Sequence, residues 1–111
     1  MGNLYYGWDT APIPMSDHVL AHLKVLTTAK LRRSEGFTIS WQHTDDQAPG
    51  RTTIWMQASI PLRFVFDSTE AEALDPQWLK ELSRAANAGG VNLSASQIGA
   101  AEPLQALTNG A

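Results

Sequence analysis

At 111 residues, with 43% hydrophobic and 17% charged side chains, the chain has the size and makeup of one globular domain with its own core. It holds no cysteine, which excludes disulfides, thiolate metal sites and cysteine nucleophiles, and its formal charge of −3 lacks the basic excess of a dedicated nucleic-acid binder. Met1-Gly2-Asn3-Leu4-Tyr5-Tyr6 has neither the basic flank nor the apolar stretch of a signal peptide, and no apolar run reaches the ~20 residues of a bilayer span, so a cytoplasmic protein without membrane contact is expected.

Leu4 to Trp8 is short and aromatic and is broken by Gly7, which suits a brief edge strand. Ala11 to Met15 carries Pro12 and Pro14 and reads as an extended linker. Ser16 stands at an N-cap position with Asp17 in the first turn, and Val19, Leu20, Leu23 and Leu26 follow at helical spacing. Lys30, Arg32 and Arg33 place cations in the last turn, and Gly36 is the expected stop. Lys30 falls on the apolar side of this helix. Its expected solution is to lay its methylenes over the core and hold its ammonium in water, rather than to serve as a buried catalytic lysine.

Phe37 to His43 alternates, with Phe37, Ile39 and Trp41 on one face and Thr38, Ser40 and Gln42 on the other. Thr44 to Gly50 is rich in turn formers and reads as a hairpin loop to a second strand, Thr52 to Gln57. Ser59-Ile60-Pro61 marks a turn, after which Leu62, Phe64 and Phe66 share one face of a third strand and Arg63 and Val65 the other. Asp75 and Pro76 open a second helix, Trp78, Leu79, Leu82, Ala85 and Ala86 give it an apolar side, and Gly89-Gly90 ends it. The composition divides the chain into a domain over residues 1–93 and a loosely ordered tail over 94–111. The expected fold is α+β in the order β-α-β-β-β-α. Hairpin-linked strands form one antiparallel sheet, and both helices pack on its apolar face. The other face would carry Thr38, Ser40, Gln42, Thr53, Trp55, Gln57 and Arg63.

Chemistry-bearing residues are few. His18 and His22 are four apart on the first helix, a spacing that suits two metal ligands if His43 or Asp17 adds a third, although two histidines on a solvated flank are the commoner case. Arg32, Arg33, Arg51 and Arg63 could meet at one edge near Trp55, where arginine and an exposed aromatic suit stacking on single-stranded nucleic acid. The bland alternative pairs these arginines with Glu35, Asp67 and other carboxylates. The α-β-β-β-α order is shared with double-stranded-RNA-binding domains, whose last helix begins basic, whereas here it reads Asp75-Pro76-Gln77-Trp78-Leu79-Lys80-Glu81. There is no phosphate-binding glycine loop and no G-x-S-x-G turn, so no catalytic residue and no cofactor are assigned.

Several motifs occur together: Leu4-Tyr5-Tyr6-Gly7, Leu20-Ala21-His22-Leu23-Lys24, Lys30-Leu31-Arg32-Arg33-x-Glu35-x-Phe37, Ser40-Trp41, Gly50-Arg51-x-Thr53-Ile54-Trp55, Ile60-Pro61-Leu62-Arg63-Phe64-x-Phe66 and Trp78. Over roughly residues 3 to 88 this pattern resembles a family of short actinobacterial proteins of unknown function, some of whose members carry the label "ATP-dependent DNA ligase". The resemblance implies a link to DNA metabolism. Ligases of that type attach AMP to the lysine of K-x-D-G, and Lys24, Lys30 and Lys80 all lie in other contexts, so no catalytic residue carries over. The leading expectation is a non-catalytic interaction module, self-associating through the exposed sheet face or an edge strand, with Trp55 and Val65 outside the core as the features that argue for it. A nucleic-acid-associated domain using Arg32, Arg33, Arg51, Arg63 and Trp55 is the second, and a small metal protein or enzyme built on His18, His22 and His43 the third.

Overall fold

The computed structural model describes residues 1–94 and 96–98, and most of the expected tail lies outside them. The elements are β1 (Gly2–Tyr6), β2 (Ile13–Met15), α1 (Asp17–Arg32), β3 (Phe37–Gln42), β4 (Arg51–Met56), β5 (Leu62–Val65), α2 (Pro76–Ala88) and β6 (Val91–Leu93). The mixed α+β class and the broad order of strands and helices are those expected from the sequence.

The sheet differs from expectation. Two three-stranded sheets replace one, with strand orders β2-β1-β5 and β4-β3-β6. β3 and β4 form the expected hairpin, in register from Phe37↔Met56 to Gln42↔Arg51. β5 does not fold back on β4. It pairs antiparallel with β1, where Leu4 meets Phe64 and Tyr6 meets Leu62, and the Gly7 amide donates to the Pro61 carbonyl at 2.8 Å. Apolar cross-strand pairs of this kind give β5 a better partner than the Thr-rich β4. β1 is therefore a central strand, not an edge. The expected linker supplies its other neighbour, β2, whose Pro14 is tolerated because this strand lies at the sheet's margin. β6 joins the second sheet parallel to β3, making β3 central as well.

The helices divide between the sheets instead of sharing one face. α1 lies against β1, α2 against β3 and β6, and the two helices touch. The Ser16 hydroxyl accepts the Val19 amide at 3.1 Å, so the expected N-cap forms. Val19, Leu20, Leu23 and Leu26 are buried with Leu4, Met15, Ile39, Met56, Leu82 and Val91 in one core. Each such side chain contributes about 1.5–3 kcal/mol on leaving water. The helix ends earlier than Gly36. Ser34 takes a left-handed conformation with φ 58°, its amide donates to the Leu31 carbonyl, and the Glu35 amide reaches back to Lys30. That pair of bonds is a Schellman closure, made here with serine in the position glycine usually fills. Gly36 has a different use: a Cβ there would lie 2.6 Å from Cζ2 of Trp55.

α2 begins as expected, with the Asp75 carboxylate accepting the Gln77 and Trp78 amides and Pro76 at the first helical position. Beyond β6, Ile98 is buried and bridges to Met15, so the chain is tied to the core there.

Candidate functional site

Alternation along β4 sets its character. Ile54 and Met56 point into the core, while Arg51, Thr53 and Trp55 are exposed on the outer face. β4 is also the outermost strand of its sheet. In an antiparallel ladder, alternate residues turn their amides and carbonyls toward the neighbour or away from it. The His43 amide donates to the Gly50 carbonyl at 2.9 Å, and the register then directs Thr52, Ile54 and Met56 toward β3. Arg51, Thr53 and Trp55 consequently turn their backbone groups outward. The Tyr6 hydroxyl confirms this, donating to the Trp55 carbonyl at 2.7 Å from the other sheet. Among the described residues, nothing bonds the outward backbone of Arg51 or Thr53.

The outer face of this sheet is presented by Thr38, Ser40 and Gln42 of β3, Asn92 of β6 and the three β4 residues. It carries no carboxylate, and Arg51 is its charged residue. The Ser40 and Thr53 hydroxyls bond each other at 2.8 Å across the strands. Trp55 is 49% exposed, its ring resting against Gly36.

The arginines are spread over three places. Arg51 and Trp55 share a strand face, about 13 Å apart at 3.3 Å per residue. Arg63 belongs to the other sheet, where its guanidinium lies 4.3 Å from the centre of the Tyr5 ring. Arg32 and Arg33 sit at the end of α1, and Arg33 reaches the Glu35 carboxylate at 3.2 Å. Val65, on β5, is likewise exposed on the other sheet. Trp8 was missed by reading β1 through to it. Gly7, with φ 64°, ends the strand first, and Trp8 projects from the turn 88% exposed, beside a groove lined by Tyr5, Pro61, Leu62 and Arg63. The signal was Gly7 followed by Asp9, turn formers on both sides of one aromatic.

The histidines take separate tasks. His22 is fully buried, with Nδ1 2.7 Å from the His18 carbonyl, while Nε2 accepts the Asp75 amide at 2.8 Å. A carbonyl only accepts, so Nδ1 carries the proton and both nitrogens are spent. No lone pair is left for a metal. His18 stacks on Trp78 with centroids 5.7 Å apart and lies 3.6 Å from the Glu72 carboxylate. His43 bridges the Ala48 carbonyl and the Thr52 hydroxyl, closing the β3–β4 loop. Among the described residues, no three His, Asp or Glu gather as metal ligands would.

Lys30 corrects the snorkelling expectation. Its side chain is buried, and its ammonium donates to Glu35 Oε1 at 3.2 Å and to Asn87 Oδ1. The helix wheel placed it correctly, but Glu35 and Asn87 bring acceptors to it, so the ammonium need not reach open water. Hydrogen bonds from Arg33 and then Lys30 hold the Glu35 carboxyl below the ordinary glutamate value of 4.5.

Fold and surface together define a small α+β domain with an open, acid-free sheet face ending in an unpaired edge strand. The chain belongs to a family described as a domain of unknown function, DUF7882, whose model matches residues 1–96. No curated protein and no solved structure matches it. Among the described residues, no helix is long and apolar enough to cross a membrane.

Proposed function

We propose that this domain is a non-catalytic interaction module that acts in the cytoplasm and associates with itself. The observation that carries this reading is Trp55, half-exposed on the outermost strand of its sheet. An aromatic of this size contributes most when covered, and an unpaired strand edge offers backbone groups to another chain. Sedimentation of the full chain across a wide concentration range tests it. Reversible dimerisation, weakened at least tenfold by Trp55→Ser, is the expected result; a monomer at all concentrations would overturn the reading.

A second reading, association with nucleic acid, is favoured by the acid-free face that joins Arg51 to Trp55. Anisotropy titrations of labelled single-stranded and duplex oligonucleotides at two salt concentrations test it. Binding that falls steeply with salt and is lost in Trp55→Ala and Arg51→Ala supports it. Absence of binding at low salt removes it. The ligase label carried by members of the family that the sequence resembles finds no support in the lysines, of which Lys30 is buried against Glu35 and Asn87.

A further inference from the structure

We propose that β4 of one copy pairs antiparallel with β4 of a second copy about a two-fold axis through Thr53, setting Arg51 of each against Trp55 of the other. The proposal rests on the self-association reading and names its surface and register.

The backbone decides which registers are open. Arg51, Thr53 and Trp55 direct their amides and carbonyls outward, so a second β4 must bring these same residues to meet them. An isologous contact must also be self-complementary, each residue meeting a partner that it can tolerate in both directions. Centring the axis on Thr53 satisfies both conditions. Thr53 faces Thr53, a favourable cross-strand pair, and Arg51 faces Trp55 twice. Each guanidinium can then lie over an indole, the contact that Arg63 already makes with Tyr5 within one chain at 4.3 Å. No two like charges oppose one another, because Arg51 is the charged residue on this face. Centring on Thr52 would instead set Arg51 against Thr53 and leave Trp55 beyond the paired stretch. One acceptor on the edge is already engaged, the Trp55 carbonyl bonded to Tyr6, and its second lone pair can take the amide of the incoming Arg51. The product is a continuous sheet in the order β6-β3-β4-β4-β3-β6, in which both β4 edges are paired.

The absence of cysteine makes the register directly readable. Facing residues in a hydrogen-bonded antiparallel pair have Cα atoms about 5.5 Å apart, within the 4.4–6.8 Å that a disulfide spans. The full chain carrying Thr53→Cys is oxidised under mild conditions beside a chain carrying Asn92→Cys, exposed on the same face but on β6. The expected result is a covalent dimer from Thr53→Cys formed at least tenfold faster than from Asn92→Cys. Arg51→Glu should weaken the sedimentation dimer at least tenfold, and Arg51→Glu combined with Trp55→Arg should restore it. If the chain dimerises but Thr53→Cys crosslinks no faster than Asn92→Cys, this pairing is overturned while self-association stands. If the chain remains monomeric throughout, both fall.

Discussion

The Asp75 amide donates to Nε2 of His22 at 2.8 Å, while the Asp75 carboxylate caps the first amides of α2. A buried histidine on one helix thus fixes where the other begins. Replacing it with phenylalanine strands the Asp75 amide, while the His18 carbonyl keeps its helical bond to the backbone amide of residue 22. His22→Phe should cost about 1–3 kcal/mol, the cost of one unsatisfied buried group. His22→Gln, which offers a donor and an acceptor, should recover part of the loss. Chemical denaturation measures both, and a His22→Phe variant as stable as the parent would refute this account.

Lys30 presents the opposite case. A buried charge pair often contributes less than an apolar side chain of similar shape. Lys30→Met should therefore remain within about 1 kcal/mol of the parent, leaving the half-exposed Glu35 and Asn87 to water. Asn87→Leu keeps the ammonium and removes an acceptor, so it should be the more damaging change, by about 1–3 kcal/mol. Reversal of that order in thermal unfolding would show that the ammonium is better hydrated than its burial implies.

Glu35 makes stability depend on acid. Its carboxyl titrates below 4.5 in the folded chain, through Arg33 first and Lys30 second. A group lowered in this way adds stability that is present above its unfolded value and is lost as pH falls through its folded value. The parent should therefore lose stability more steeply than Glu35→Gln as pH falls below 4.5. Parallel slopes for the two proteins would mean that the pair is broken in solution.

Ser34 holds a left-handed backbone where a Cβ is disfavoured. Ser34→Gly relieves that conformation and keeps the Schellman bonds, so it should stabilise by about 0.5–1 kcal/mol. A lowered melting temperature would indicate that the serine hydroxyl contributes more than the strain costs.

What could be read from the sequence was what depends on neighbours along the chain. Ser16 and Asp75 cap the helices because capping is decided within three residues. The β3–β4 hairpin and the exposure of Trp55 follow from period-two alternation. β5 was legible as a strand but not as a neighbour of β1, because nothing near Leu62 says that its partner is Tyr6. The arginine cluster failed for that reason: Arg63 was placed by its strand, and its strand joined the other sheet. β6 is only three residues long, too short for alternation to register. Lys30 was correctly seen on the buried side, yet its acceptor Asn87 lies 57 residues away and no local pattern announces it.

The pairing of β1 with β5 also bears on how the domain comes into being. Tyr6 waits for Leu62, more than fifty positions downstream, before its ladder can close. During synthesis the β3–β4 hairpin is complete while β1 still lacks one of its two neighbours. Closing so long a loop is slow beside local hairpin formation, so the β1–β5 ladder forms after the β3–β4 hairpin. Through that interval the aromatic Leu4-Tyr5-Tyr6 stretch has β2 on one side and an open edge on the other, a segment that a ribosome-associated chaperone would have reason to protect.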